Sequence, residues 1–309
     1  MAVEVYHEGE RTAQRRAGLL DQGTFSSRAV RAELPHVARE FLAQQVMLVL
    51  GAADATGRMW ASMLTGKPGF LRAEDDTTLI VAAAPVEGDP LSARLAVPAF
   101  GDQRVHVGMI AIEPATRRRM RMNGRAARTE RGLHIALDQV YANCPKYIQK
   151  REPRWEPTAI APPMLSHELS RRQQQLIAEA DTFFIATADR AGHADASHRG
   201  GNPGFVQVVS PAVLRWPDYI GNAMFNTLGN LEVNPAAGLL FPDWRTGTTV
   251  QVTGAARTDW DPAHAASVPG AQRMIEFAVT GVTEIPGASG LRWSAPTPSR
   301  FNPLVTPSP

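Results

Sequence analysis

A short run near residue 220 holds the residue types from which an anion site can be built. In Ile220-Gly221-Asn222-Ala223-Met224-Phe225-Asn226-Thr227-Leu228-Gly229-Asn230-Leu231-Glu232-Val233-Asn234-Pro235, Asn226 is suited to cap a helix that Thr227 opens. That helix must stop at Asn234, because the next residue is proline. The free N–H groups and the dipole of a helix start suit a phosphate. A capped helix with no ligand would use the same residues, so a nearby cation is needed to favour the anion site. Arg199, followed by Gly200-Gly201 at the end of a predicted strand, supplies one, and its guanidinium fork matches phosphate oxygens.

Other candidates carry less. His193 and His198 are separated by an odd number of residues, which turns them to opposite faces of a strand and excludes a chelating pair. No metal site is expected. Cys144 is a single thiol with no resolving partner or base beside it in the sequence. No Gly-x-Gly-x-x-Gly or phosphate-loop pattern occurs, since Ala61 stands where the latter's first glycine would precede Gly66-Lys67. Arg117-Arg118-Arg119 with Arg121 reads either as a solvated strand face or as an anion-binding patch.

The elements that must position these residues come from an internal repeat. Met47 to Phe70 and Phe183 to Phe205 match in order, with Gly57 and Gly192, and Gly69 and Gly204, each 135 residues apart. Gly108 and Gly238, and Gly124 and Gly254, are each 130 apart, as expected of a duplication that lost a few residues from the second copy. Each copy begins with an amphipathic helix, Leu34, Val37, Ala38, Phe41 and Leu42 sharing one face in the first, and Leu169, Leu176, Ile177 and Ala180 in the second. A hairpin with a glycine turn follows. Further strands are expected at Thr78–Ala84, Val105–Ile112 and Met120–Ala127, then at Val213–Trp216, Ala236–Phe241 and Thr248–Arg257. The fold class expected is mainly β, two tandem six-stranded antiparallel split barrels packed as a pseudo-dimer. The first copy with an N-terminal extension spans 1–152, a Pro-rich linker 153–168, the second copy 169–295, and a Pro/Ser-rich tail 296–309, expected to be extended over the surface or disordered.

The residues just quoted also carry a family resemblance. Asp-x-Ser-x-Arg-Gly-x-x-Pro-Gly-Phe at 195–205, Gly-Asn at 221–222, Asn-Thr-Leu-x-Asn-Leu-x-x-Asn-Pro at 226–235, Gly-Leu-Leu-Phe at 238–241 and Val252-x-Gly254-x-Ala256 resemble the flavin-binding split-barrel proteins of the pyridoxamine 5′-phosphate oxidase-like group. The resemblance implies that Arg199, Asn226 and Thr227 hold the phosphate of a flavin mononucleotide (FMN), with Ser197 and Asn222 nearby. The segment Asn143-Cys144-Pro145-Lys146-Tyr147 resembles one that follows the barrel in this group, which implies that Lys146 and Tyr147 close over the flavin of the other copy, with Asn143 and Pro145 opening a helix. Where the vitamin B6 enzymes carry Ser-Arg-Lys at the helix start, this chain has Phe225-Asn226-Thr227, so the resemblance does not extend to pyridoxamine phosphate as substrate. Arg199 aligns with Leu64 in the first copy, which favours one flavin per chain.

The resemblance implies an FMN-dependent oxidoreductase acting on a small organic substrate, with reduced nicotinamide as a candidate electron donor and Trp244 and Trp293 as candidate ring-stacking residues. A non-catalytic flavin carrier or sensor, a deazaflavin protein, and a haem-binding split barrel using His198 are the alternatives. A net charge of +2 from 32 basic and 30 acidic residues gives no broad nucleic-acid footprint. The absence of an 18-residue apolar run or a leader pattern leads to the expectation of a cytoplasmic protein without a membrane partner, either a monomeric pseudo-dimer or a homodimer.

Overall fold

A computed structural model describes residues 5–96, 104–156 and 158–305. The first copy contains helices α1 (Glu8–Arg16), α2 (Leu20–Ser26), α3 (His36–Ala43) and α4 (Ser92–Ala96) and strands β1 (Met47–Ala53), β2 (Met59–Thr65), β3 (Leu71–Ala73), β4 (Thr78–Val81), β5 (Val105–Glu113), β6 (Arg118–Thr129) and β7 (Gly132–Ala142). Short strands β8 (Pro153–Trp155) and β9 (Met164–Ser166) lie in the connection. The second copy contains α5 (Arg171–Glu179), β10 (Thr182–Ala188), β11 (Ala194–Gly200), β12 (Gln207–Ser210), β13 (Val213–Tyr219), α6 (Asn226–Val233), β14 (Ala236–Pro242), β15 (Thr249–Asp259), α7 (Pro262–Ala266), β16 (Ala271–Ile285) and β17 (Leu291–Trp293).

The two large sheets share one topology. Their strand orders are β2-β1-β5-β6-β7-β4-β3 and β11-β10-β14-β15-β16-β13-β12, the same path once the second copy is renumbered. Each path has seven strands rather than the six expected, because three- and four-residue strands, β3 and β12, follow the hairpins and pair with β4 and β13, and β9 adds an eighth strand to the second sheet by pairing with β16. The repeated glycines also recur in register. Gly124 and Gly254 sit at matching bulges, between Asn123 and Gly124 and between Thr253 and Gly254, where a Cβ would overlap the carbonyl of Ala136 or Ala278 on the next strand.

Alternation fills two barrel cores. Leu48, Leu50, Val107, Met109 and Met122 belong to the first, and Phe183, Ile185, Leu239, Val252 and Phe277 to the second. The opposite faces of the same strands build a third cluster between the barrels, from Met47, Val49 and Ile110 against Phe184, Ala186, Ala196 and Leu240. This is why β1 and β10 are buried on both sides and read as continuous apolar runs. Gly108 and Gly238 permit the close approach, since a Cβ on Gly108 would overlap the Asp195 backbone and one on Gly238 the backbone of Met59 and Trp60.

In α3, Ala38, Phe41 and Leu42 are buried as the periodicity requires, but Val37 is exposed. The tail from residue 296 is held across the junction as far as residue 305. Lys150 and Thr297 form a β-bridge, Ser299 N–H donates to Gln149 Oε1 at 2.8 Å, and Asn202 Nδ2 donates to the Pro303 carbonyl at 3.0 Å. No described helix is long and apolar enough to cross a membrane.

Candidate functional site

α6 begins one residue earlier than the sequence implied, and Asn226 is not its cap. An N-cap residue normally has extended backbone, but Phe225, which precedes the first turn, is left-handed at φ 60° and ψ 22°, two residues after Ala223 at φ 58°. No side chain caps the helix, so its first N–H groups are left for another acceptor. The Asn226 side chain turns instead to charged neighbours: Arg121 donates to its Oδ1 at 3.3 Å, and its Nδ2 donates to Glu10 Oε1 at 2.7 Å. α6 ends at Val233, before Asn234-Pro235.

This helix start forms one wall of a cleft of about 350 Å³ between the barrels. Ser197, Arg199, Asn222, Asn226 and Thr227 of the second copy line it together with Lys146 and Tyr147 of the first. Thr227 Oγ1 donates to Ser197 Oγ at 3.1 Å, and Ser197 Oγ donates to Asp195 Oδ2 at 3.3 Å, which joins the helix start to β11. Asn222 shapes the approach to α6, its Oδ1 accepting from Met224 N–H at 3.1 Å.

Lys146 and Tyr147 reach the cleft on a non-helical segment, not at the helix start expected of Asn143 and Pro145. Tyr147 takes φ 66°, a conformation that cannot continue a right-handed helix. Its hydroxyl donates to the Ile220 carbonyl at 3.1 Å and its ring lies 5.2 Å from that of Tyr219. Trp244 and Trp293 do not line the cleft; they pack edge-to-face on each other at 5.4 Å, against the inter-barrel cluster. The aromatic residues lining the cleft are instead Phe205, Phe225, Tyr147 and Tyr219.

Positive charge is concentrated here. Arg119 and Arg121, alternate residues of β6, project from the first barrel into the cleft. The basic run is therefore divided: Arg118 is exposed over Phe41, while the next two alternate positions face the junction. Arg121 forms a buried ion pair with Asp195, whose charge raises its pKa against the lowering by burial. Arg119 donates to Nδ1 of His198 at 2.9 Å, and burial, with Arg121 and Arg199 adding repulsion, pulls its pKa down to about 9. Burial likewise lowers Arg199, partly opposed by Asp218. Asp218 pairs with Arg273 at 3.2 Å. The sequence showed the β6 arginines but not which barrel's ligand they would face, a long-range relation set by the pseudo-dimer.

The N-terminal extension also belongs to this site. α1 crosses α6 at a glycine contact, Gly9 against Gly229, and brings Glu10 beneath Asn226. Burial pushes the Glu10 carboxyl up to about 8, partly opposed by the hydrogen bond from the His7 backbone. Leu19 and Gln22, around the start of α2, complete the rim.

Comparison with known proteins adds a family to this geometry. Residues 169–293 match the family described as Pyridoxamine 5'-phosphate oxidase. The second copy has a pyridoxamine 5′-phosphate oxidase-like split-barrel fold. Solved structures similar to this chain include HupZ from Group A Streptococcus, at 13% identity and TM-score 0.29, covering 36% of this chain and 89% of that one. The FAD binding protein from Mycobacterium smegmatis has 17% identity and TM-score 0.28, covering 39% and 98%. A pyridoxinephosphate oxidase family protein related to general stress protein 26, from Clostridium acetobutylicum, has 12% identity and TM-score 0.27, covering 36% and 84%. No curated protein matches the chain.

The split barrel's cleft has a pseudo-equivalent at the other end of the junction, and there the polar groups satisfy one another. Ser62 stands in the position of Ser197, Leu64 in that of Arg199 and Gln251 in that of Arg121, by the 135- and 130-residue offsets. Ser62 Oγ donates to Asp89 Oδ1 at 2.6 Å, while Gln251 Nε2 donates to Asp89 Oδ2 at 3.0 Å and to the Ala61 carbonyl at 2.9 Å. All three side chains are buried, and burial raises Asp89 to about 6. No guanidinium is present among them to attract an anion.

Proposed function

We propose that the cleft binds one FMN per chain and that the protein is an FMN-dependent oxidoreductase acting on a small organic substrate. The observation that carries this reading is the convergence of an uncapped helix start with Arg199 and Ser197 of one barrel and with Lys146, Tyr147 and Arg121 of the other. The residues fit a flavin phosphate. α6 offers N–H groups without a side-chain acceptor, Thr227 and Ser197 offer hydroxyls, and Arg199 has no carboxylate within ion-pair distance among the described residues. The family match over the second copy supports the same assignment.

When bound, the flavin would supply hydride transfer, which no side chain can perform. The chain's own part is to hold the phosphate, exclude water with Tyr147 and Tyr219, and present donors to the remainder of the cleft. A volume of about 350 Å³ lies within the roughly 300–1,000 Å³ range of small-molecule sites. One site per chain follows from the contrast between this cleft and the closed Ser62–Asp89–Gln251 cluster.

The test is the visible spectrum of the purified protein, followed by anaerobic addition of reduced nicotinamide. Flavin bands that bleach on addition support an oxidoreductase with that donor. Flavin bands that no electron donor and substrate can cycle would leave a carrier or sensor. A Soret band, with His198 as ligand, would replace the reading altogether.

A further inference from the structure

We propose that Arg119 and His198 form a second anion subsite of this cleft, distinct from the phosphate site at α6, which recognises the carboxylate of a small organic anion. The inference rests on the flavin reading only in identifying that carboxylate with the substrate. The subsite itself stands on the geometry of the two side chains.

Arg119 comes from β6 of the first barrel and His198 from β11 of the second, and both line the cleft. Arg119 donates to Nδ1 of the imidazole. An arginine has no acceptor to offer, so Nδ1 must be the unprotonated nitrogen and the proton sits on Nε2. His198 is 5% exposed, and its Nε2 has no partner. Nε of Arg119 is also buried without a partner. Two buried donors that a folded chain would ordinarily satisfy are thus left unpaired on residues that line the cleft, with no carboxylate within ion-pair distance of Arg119 among the described residues.

The neighbouring charges strengthen the case. Arg121 is committed to Asp195 and Arg273 to Asp218, whereas Arg119 lacks a counter-ion and lies close enough to Arg121 and Arg199 for both to weaken its protonation. Burial, with repulsion from Arg119 and Arg199, holds His198 well below the ordinary imidazole range, so it stays a neutral acceptor for Arg119 rather than a competing cation. A carboxylate supplies what is missing. Its two planar oxygens fit a guanidinium fork, and its charge relieves the arginine repulsion, while His198 Nδ1 holds that guanidinium in place. Lys146, on the same rim, contributes further positive potential.

The experiment titrates benzoate, and benzamide as its neutral counterpart, into FMN-loaded protein, with flavin difference absorbance as the readout. The same two probes are titrated into flavin-free protein and followed by melting temperature. The wild type should prefer benzoate by about tenfold or more, the scale of a charge-assisted contact. Arg119→Gln should remove that preference while FMN affinity stays within about twofold. His198→Asn, which replaces the imidazole with a smaller side chain, should weaken benzoate alone and serves if the arginine variant misfolds. Equal affinity for the two probes in the wild type would overturn the proposal. So would release of FMN by Arg119→Gln, which would assign Arg119 to the phosphate. If the wild type takes up no FMN, yet flavin-free protein still prefers benzoate through Arg119, the flavin reading fails and the anion subsite stands.

Discussion

Arg121 of the first barrel and Asp195 of the second form an ion pair in which the residues are 5% and 3% exposed. The Tyr141 hydroxyl donates to the same carboxylate at 3.3 Å, and the other amino group of Arg121 is bonded to Asn226. The contact that joins the two barrels therefore also positions the start of α6, so packing of the pseudo-dimer and assembly of the cleft cannot be separated.

Breaking this pair on one side should be costly. Asp195→Ala leaves a buried guanidinium without its partner, and the expected loss of stability is about 3–5 kcal/mol. Replacing both residues with apolar ones of similar size should cost less than the sum of the single changes. Chemical denaturation of the two single variants and the double variant measures the coupling; additive effects would show that the pair is not an energetic unit.

Glu10 should impose a pH dependence on stability. Its carboxyl titrates near 4.5 when unfolded and about 8 when folded. Below the lower value both states hold the proton. Between the two the folded state alone holds it, so rising pH favours unfolding by up to ~1.4 kcal/mol per unit. Above about 8 this contribution to the slope disappears. Glu10→Gln should flatten the melting-temperature profile across that window, and an unchanged profile would show that the carboxyl is ionised in the folded protein.

The repeat and its glycines were legible because they act locally: Gly57 and Gly192 take φ 85° and 88° at the hairpin turns, and Gly124 and Gly254 mark bulges. The alternate reading of Arg119 and Arg121 as a solvated face was equally consistent with the sequence, since only the packing of β6 against β11 decides it. The same holds for α1. Nothing local in Glu8–Arg16 indicates that Gly9 meets Gly229, some 220 residues away. The cap was misplaced because Asn is favoured both at an N-cap and as a partner for charged groups, and the left-handed Phe225 has no signature in residue type.

Asn226 and Thr227 should matter more to the ligand than to the fold. No side chain caps α6, so the double change to alanine removes hydrogen bonds to Glu10, Arg121 and Ser197 but no cap. It should yield a folded protein that purifies colourless and gains little melting temperature from added FMN, because ligand stabilisation follows affinity. Retention of colour and of the full FMN-induced shift would reduce this segment to a structural helix.

The most direct measurement is a fluorescence titration of flavin-free protein with FMN, in the wild type and in Arg199→Ala. Saturation is expected at one FMN per chain, with a loss of about 1.5–3 kcal/mol in binding free energy for the variant, the range for a hydrogen bond to a charged group. Two equivalent sites would contradict the closed state of the Ser62–Asp89–Gln251 cluster. Unchanged affinity in Arg199→Ala would contradict the placement of the phosphate, and with it the claim that this cleft is the flavin site.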